Sequence, residues 1–223
     1  RQLAEQIDRD WAGVLQKLET VRQCLISRPA MLANVTLDRA NWSQFRSVMD
    51  DFLAKFPLQA GPMVAWQPSV PAWNEGLTIP AQVNYVGKGA NLYQAGYQPS
   101  GAVDVITNYL RTTWLWEKVR VQGGAYGAFS LFDHHSGVLT FLSYRDPNLL
   151  ATLENYDRTA DFLRSLDAQR LSEDELTKNI IGAIGNMDTY LLPDAKGYTA
   201  MLRYLAGDTD ESRQLWREQI LST

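Results

Sequence analysis

Cysteine and histidine are scarce in this sequence. Cys24 is the single cysteine among 223 residues, so no intramolecular disulfide can form and a secreted disulfide scaffold is excluded. The two histidines, His134 and His135, are neighbours, and no H-x-x-E-H or H-E-x-x-H stretch occurs. Neighbouring residues of a strand point to opposite faces, so the two histidines are poor joint ligands of one ion. We expect them in the solvated turn of a hairpin. The sequence therefore predicts no metal site.

Long apolar runs and an excess of one charge are also missing. No run reaches the roughly 18 apolar residues that a membrane span needs. The net charge is −4 with both signs scattered along the chain, unlike a nucleic-acid footprint or a polybasic membrane patch. We expect neither nucleic acid nor membrane as a partner. A G-x-S-x-G elbow, a P-loop and a complete dinucleotide fingerprint are absent as well.

The residues that are abundant indicate a folded protein. Hydrophobic residues make up 45% of the chain, with seven Trp and ten Tyr to fill a core. The length fits one large domain or one domain with an appendage. The chain begins with Arg1 and without a signal-peptide pattern, which suggests an excised fragment or a processed chain.

The first third of the chain alternates between helix and strand patterns. Apolar spacing predicts helices over about 2–27 and 41–55, and a strand over 30–37. Residues 57–75 carry four prolines and resemble a linker. We therefore expect residues 1–56 to form the end of a preceding domain or a junction, and residues 76–223 to form the C-terminal domain. That domain is expected to be incomplete at its C-terminus.

The remaining chain predicts an α+β fold. Strands are expected over 77–85 and, after a turn at Gly87–Gly89, over 91–96, and a hairpin is expected over 125–132 and 138–144. Helices are expected over 101–119, 148–166, 194–206 and 209–221, and an S-E-D-E capping box at Ser172 opens a further helix. Hairpins followed by runs of helices favour an antiparallel sheet packed against helices on one face.

One stretch combines groups that could take part in chemistry. In Trp114–Gly127 (WLWEKVRVQGGAYG), an apolar helix ends near Arg120, two glycines turn the chain, and Tyr126 begins a strand. A guanidinium and a phenol can both donate hydrogen bonds to a carbonyl oxygen that gains negative charge during peptide hydrolysis. From the residues alone, a structural interpretation stays open. Arg is favourable at a helix C-terminus, and a strand Tyr commonly packs.

Several stretches resemble a known family. NEGLTIPAQVNYVGKG, R-V-x-G-G-A-Y-G, F-x-S-Y-R-D-P-N and LLPDAKGYTAMLRYL are similar to the presequence proteases, within the insulinase/pitrilysin family of zinc metallopeptidases. The resemblance extends over essentially the whole chain. It implies an insulinase/mitochondrial processing peptidase-like metallohydrolase domain, one of four homologous α+β domains that enclose a peptide-sized chamber.

The resemblance also implies roles for particular residues. The family's C-terminal half supplies an Arg and a Tyr that reach the substrate across the chamber, and their motif matches Arg120 and Tyr126. Asn84, Tyr85 and Gly124 are expected to contribute to substrate binding. The zinc ligands of the family lie in its first domain. This chain is therefore expected to carry no cofactor of its own, with zinc in the parent enzyme.

The expected function is that of a non-catalytic C-terminal part of a zinc metalloendopeptidase that degrades short unstructured peptides, such as targeting presequences. The chain alone is expected to be inactive, and its partners would be the zinc-bearing N-terminal half and peptide substrates. The alternatives are an inactive scaffold or peptide-binding subunit of the same superfamily, and an unrelated α+β binding domain. Compartment follows from origin: cytoplasm for a bacterial protein, mitochondrial matrix or chloroplast stroma for a eukaryotic one.

Overall fold

A computed structural model describes residues 2–58, 65, 74–166 and 171–223. The chain divides into two compact units. The first comprises residues 1–76 and 192–201, and the second comprises residues 77–191 and 202–223. Most of the predicted linker, 57–75, lies outside the described residues. Among those that are described, no helix is both long enough and apolar enough to cross a membrane.

The first unit contains helices α1 (Gln2–Arg9), α2 (Trp11–Leu25) and α3 (Arg39–Ala54). The prediction of one helix over 2–27 is wrong, because the Asp10 carboxylate accepts a hydrogen bond from the Gly13 N–H and begins a new helix there. The predicted helix 41–55 is confirmed as α3, which the Asp38 side chain caps.

The predicted strand over 30–37 is wrong. A 3₁₀ turn covers Arg28–Ala30, and the following residues form no regular element. The Asn34 side-chain amide donates a hydrogen bond of 2.9 Å to the Gly197 carbonyl. This segment is thus fixed by side-chain contacts rather than by a strand ladder.

The second unit is built on a three-stranded antiparallel sheet. Its strands are β1 (Asn84–Asn91), β2 (Gly127–Asp133) and β3 (Val138–Asp146), in the order β1-β3-β2. The predicted hairpin is confirmed as β2–β3. The predicted strands at 77–85 and 91–96 are wrong. Strand pairing begins at Asn84 and continues through Gly87–Gly89, where the sequence predicts a turn. The turn is formed instead by residues 92–96.

Helices of the second unit follow the predicted order with local breaks. They are α4 (Ala102–Thr112), a π-helical turn (Trp116–Val121), α5 (Leu150–Asp157), α6 (Thr159–Arg164), α7 (Glu173–Met187), α8 (Pro193–Ala206) and α9 (Asp210–Leu221); α8 is shared with the first unit. The predicted helix 101–119 is interrupted because the Thr113 hydroxyl bonds to the Tyr109 carbonyl and the backbone leaves the α region. The Ser172–Glu175 capping box is confirmed.

The sheet buries one face. Val86, Ala128 and Phe141 pack with the helical residues Leu115, Val119 and Tyr156 in one core cluster. A second cluster joins α4, α7 and α9 through Val105, Ala183 and Ile220. The opposite sheet face carries exposed side chains, which include Phe129, Leu131 and Tyr144. The α+β class with helices against one face of an antiparallel sheet is therefore confirmed.

Candidate functional site

Arg120 lies on the π-helical turn Trp116–Val121. Single π-helical turns inside or after α-helices are rare and are frequently found at functional sites. Val119, next to Arg120, is fully buried and anchors this turn in the core. The Arg120 guanidinium lies over the exposed Trp116 ring, with its central carbon 4.0 Å from the ring centroid, in a cation–π contact. The indole thus supports the charged group at the protein surface.

Two glycines redirect the chain after this turn. Gly124 has a φ of +77°, which favours glycine, and its N–H donates a hydrogen bond of 2.9 Å to the Arg120 carbonyl. A Cβ atom at Gly123 would lie 2.5 Å from the Val119 carbonyl oxygen, closer than side chains tolerate. Only glycine permits this close return of the chain, which leads directly into Tyr126.

A second stretch of the resemblance, Tyr144–Asn148 (YRDPN), packs against the glycine turn. The Asn148 side-chain amide donates a hydrogen bond of 2.6 Å to the Gly123 carbonyl. The Asp146 carboxylate is fully buried, and it accepts bonds from the Asn148 N–H at 2.8 Å and the Thr152 hydroxyl at 2.7 Å. Buried carboxylates are costly unless they are hydrogen-bonded in this way. Asp146 therefore fixes the stretch that in turn holds the glycine turn.

A β-bulge lies at the same end of the sheet. Asn84 pairs with Asp146 but Val86 pairs with Ser143, so Tyr144 and Arg145 together oppose the single residue Tyr85. Arg145 has a φ of +50°, a left-handed conformation that is uncommon outside glycine. Bulges next to active sites commonly redirect side chains, and strained backbone clusters at such places.

Three tyrosine rings meet at this bulge. The Tyr85 and Tyr144 rings are edge-on, with centroids 5.3 Å apart, and the Tyr126 and Tyr144 rings are edge-on at 5.9 Å. The Tyr126 N–H lies between the carbonyls of Tyr144 and Arg145, at 3.1 and 3.4 Å. All three rings remain solvent-exposed, Tyr126 by 69%. The result is an aromatic surface, Tyr85–Tyr144–Tyr126, whose backbone is fixed.

The structure brings most of the sequence-predicted residues to one place. Tyr85 and Tyr126 both contact Tyr144, and Gly124 shapes the turn between Arg120 and Tyr126. Asn84 has a structural contact instead, since its side-chain amide donates a hydrogen bond of 3.1 Å to the Asp146 carbonyl.

Sequence reasoning did not single out Trp116, which contacts Arg120, or Tyr144, which belongs to the aromatic surface. Trp116 supports the Arg120 guanidinium, and Tyr144 contacts the rings of the two flanking tyrosines. Trp116 lies within Trp114–Gly127 and Tyr144 within F-x-S-Y-R-D-P-N. Their place in these two stretches was the one signal in the sequence that could have indicated them. Their contacts depend on the π-helical turn and on the bulge, which apolar periodicity does not reveal.

The exposed side chains of Arg120 and Tyr126 offer hydrogen-bond donors. Within the part of the chain that the structure describes, the Arg120 guanidinium pairs with no carboxylate and the Tyr126 hydroxyl bonds to no acceptor. A guanidinium has five N–H donors and a phenol has one O–H donor. Donors of this kind can bind carbonyl oxygens of an extended peptide, and exposed aromatic rings such as Tyr85, Tyr144 and Tyr126 can cover its apolar side chains.

The histidine pair lies in a solvent-exposed turn, as predicted, but the two side chains do not diverge. His134 and His135 lie in the turn between β2 and β3, where strand alternation does not apply. Their rings lie side by side with centroids 3.9 Å apart, and the Nε2 atom of each faces the Asp208 carboxylate. The expectation that the two side chains diverge is wrong.

Comparison with known proteins identifies the family. The family model described as the PreP C-terminal domain matches residues 74–223. Presequence protease 1, chloroplastic/mitochondrial, of Arabidopsis thaliana is 49% identical over 222 residues, which is 99% of this chain and 20% of that protein. Protein HypA of Clostridium perfringens is 34% identical over 209 residues, 94% of this chain and 21% of that protein.

More distant relatives carry the same name. The mitochondrial presequence protease of Mus musculus is 27% identical over 144 residues, 65% of this chain and 13% of that protein. The chain thus spans about a fifth or less of the length of these curated relatives. The chain belongs to the PreP C-terminal domain family, the C-terminal portion of presequence proteases.

Proposed function

We propose that this chain is the non-catalytic C-terminal part of a zinc metalloendopeptidase that degrades short unstructured peptides, such as cleaved targeting presequences. In this role it completes the substrate chamber and contacts the peptide backbone. One observation carries the proposal. The Asn148 side-chain amide donates a hydrogen bond to the Gly123 carbonyl and so joins the two stretches, and beside this contact the side chains of Arg120 and Tyr126 are exposed and have no polar partner among the described residues.

The proposed chemistry is hydrogen bonding to the reacting carbonyl. During peptide hydrolysis the scissile carbonyl oxygen gains negative charge, and donors fixed beforehand stabilise that charge more than they stabilise the substrate. Arg120 and Tyr126 would serve as such donors, or hold the neighbouring backbone. Removal of one such donor typically lowers the rate by about 10²–10³.

The zinc of the parent enzyme would be held elsewhere. The family's zinc motif is H-x-x-E-H, and this sequence contains no such stretch, its two histidines being adjacent. The residues of this chain therefore do not fit that catalytic site. The proposed partner is the zinc-bearing N-terminal half of the same polypeptide, and the chain alone is expected to cleave no peptide.

The relatives' names and organisms bear on the compartment. One relative is named as chloroplastic/mitochondrial and another as mitochondrial, and the Clostridium relative is bacterial. For this chain we propose mitochondrial matrix or chloroplast stroma if it comes from a eukaryote, and cytoplasm if it comes from a bacterium.

A second candidate is an inactive scaffold or peptide-binding subunit. The observation in its favour is the open sheet face, where Phe129, Leu131 and Tyr144 are exposed and could bind an extended peptide without cleaving it. A subunit that only binds peptides does not require Arg120 and Tyr126 as a pair of donors. The two functions therefore differ in how turnover depends on these two side chains.

Reconstitution distinguishes the two candidates. The chain is co-expressed with the zinc-bearing N-terminal half of a presequence protease, and cleavage of a fluorogenic unstructured peptide is measured. We expect activity only when both halves are present, and a loss of about 10²–10³ in kcat for Arg120→Ala and for Tyr126→Phe. Peptide binding by the same variants is measured separately.

Two matched variants serve as controls. Arg164→Ala and Tyr204→Phe remove the same groups from exposed helical positions, where Arg164 pairs with Asp161 at the surface and Tyr204 is 76% exposed. Both should retain the reconstituted activity. Unchanged turnover in Arg120→Ala and Tyr126→Phe would contradict the proposed role, and binding without turnover in every pairing would favour the scaffold.

A further inference from the structure

The turn between β2 and β3 and the loop between α8 and α9 bring three potential metal ligands together. The ligand atoms of His134, His135 and Asp208 all lie within 4.8 Å of one another. We propose that these three residues bind one divalent transition-metal ion, best matched by Zn²⁺. The inference is independent of peptide hydrolysis, because it concerns a site at the far end of the β2–β3 hairpin from Tyr126.

The distances fit ligands of a common ion better than hydrogen bonds. The Nε2 atom of His134 lies 3.6 Å from one Asp208 carboxylate oxygen, and that of His135 lies 3.5 Å from the other. Good N–H···O bonds have their heavy atoms about 2.7–3.2 Å apart. Tetrahedral zinc has bonds of about 2.0–2.2 Å, which separates neighbouring ligand atoms by about 3.3–3.6 Å. Each histidine nitrogen lies at about that separation from one of the two carboxylate oxygens, and the ligand atoms of the three residues all lie within 4.8 Å of one another.

The histidine turn is held in place before any ion binds. The Asp133 carboxylate accepts a hydrogen bond of 3.1 Å from the His135 N–H and one of 2.6 Å from the Ser136 hydroxyl. The Tyr93 hydroxyl donates a bond of 2.6 Å to the His134 carbonyl. The loss of freedom on binding is therefore small, which favours affinity.

The carboxylate is positioned from the other side. The Asp208 N–H donates a hydrogen bond of 2.9 Å to the Arg203 carbonyl, and Gly207 before it has a φ of +77°. The His134 ring lies against the Trp216 ring with centroids 5.2 Å apart, and the Trp216 indole N–H donates to Asp104 at 2.8 Å. Contacts around the ligands that fix their orientation are a regular part of metal sites.

The ligand set identifies the class of ion. Imidazole ligands suit zinc, copper, iron and nickel, whereas magnesium and calcium prefer oxygen ligands. His134 and Asp208 also border a cavity of about 640 Å³, which leaves room for water as a fourth ligand. Two positively charged side chains, Arg203 and Arg213, border the same cavity and would repel a cation. The charge of Arg213 is offset by Asp210, with which it pairs at 3.3 Å. A bound ion would tie the β2–β3 turn to the start of α9.

Metal titration of the 223-residue chain tests the proposal. After treatment with a chelator and buffer exchange, the chain is titrated with Co²⁺ by visible absorption and with Zn²⁺ by calorimetry and thermal unfolding. We expect one ion per chain, visible bands typical of a tetrahedral Co²⁺ site, and a rise in melting temperature with Zn²⁺.

Three ligand variants and one control decide the outcome. Loss of a residue that only orients a ligand typically weakens binding 10–100-fold, so His134→Ala, His135→Ala and Asp208→Asn should each weaken it at least about 10-fold. Asp161→Asn, at an exposed helical position, should change nothing. The proposal is overturned if no ion raises the melting temperature, if binding is unaffected by the three variants, or if only the histidines matter. Circular dichroism of each variant checks that the fold is retained.

Discussion

The side-chain amide of Asn148 donates a hydrogen bond of 2.6 Å to the main-chain carbonyl of Gly123. This contact joins the YRDPN stretch to the glycine turn, although the two are 25 residues apart in sequence. The turn carries Arg120 on one side and Tyr126 on the other. The position of both side chains thus depends on a residue that need not touch a substrate.

The Asn148→Ala variant should lose both stability and activity. Its Gly123 carbonyl loses a partner in a half-buried place, which costs about 1–3 kcal/mol in the free energy of unfolding. Turnover of the reconstituted enzyme should fall as the turn loosens. Urea unfolding and peptide cleavage measure the two effects.

Asn91→Ala provides the matched control for that prediction. The Asn91 amide donates an exposed hydrogen bond of 3.0 Å to the Ser136 carbonyl at the opposite end of the sheet, and its side-chain oxygen accepts one of 3.1 Å from the Gln94 N–H. Its loss should reduce stability but leave turnover unchanged. Equal activity losses in both variants would show that turnover follows general stability rather than the glycine turn.

Gly123→Ala should destabilise the chain, because the added Cβ would lie 2.5 Å from the Val119 carbonyl oxygen. Forced overpacking of this kind costs about 1–3 kcal/mol. Gly185, within α7, has open space around its Cβ position, so Gly185→Ala should stabilise the helix by up to about 1 kcal/mol. Urea unfolding of the pair checks the sign of each change, and a destabilised Gly185→Ala would contradict this explanation.

Trp116→Leu tests how the indole positions Arg120. A cation–π contact at an exposed site contributes about 0.5–1 kcal/mol, so kcat of the reconstituted enzyme should fall about 2–5-fold, with little change in KM. Trp11→Leu replaces another exposed Trp, on α2, and should leave kcat unchanged. If Trp116→Leu left kcat unaltered, the cation–π contact would not be needed for turnover.

Local patterns in the sequence predicted the hairpin and the approximate positions of the helices, but not the breaks at Asp10 and Thr113. The capping box at Ser172 and the Gly137 turn rely on contacts a few residues apart, which propensity and periodicity capture. The strand at 84–91 was mistaken because Gly87-Lys88-Gly89 is typical of a turn. Pairing with Leu142–Thr140 of β3 overrides that preference, and such pairing is not visible locally.

The candidate site was predicted in part for the same reason. The residue types around Arg120 and Tyr126 indicated a helix-to-strand junction with hydrogen-bond donors. They left open whether the two residues serve function or only structure. The bulge at Tyr144 and Arg145 and the bond from Asn148 to Gly123 come from long-range register. The convergence of His134, His135 and Asp208 likewise depends on two loops 73 residues apart in sequence, so no spacing rule could reveal it.

Stability at high pH should depend on Tyr156, whose side chain is 3% exposed. Burial raises the pKa of its phenol to about 12, against about 10 in an unfolded chain. Below pH 10 the phenol is protonated in both states. Between pH 10 and 12 only the unfolded state releases its proton, so the free energy of unfolding should fall by up to about 2.7 kcal/mol.

Urea unfolding between about pH 9 and 12 measures this loss. Tyr156→Phe removes the ionisable group and should make the decline with pH shallower, by about 1.4 kcal/mol for each pH unit in that window. Its hydroxyl donates a long hydrogen bond of 3.5 Å to the Val86 carbonyl, so the loss of the hydroxyl should cost little and the variant should still fold at neutral pH. Tyr190→Phe, at a ring that is 79% exposed, should follow the unaltered chain. Parallel pH curves for Tyr156→Phe and the unaltered chain would assign the loss of stability to other groups.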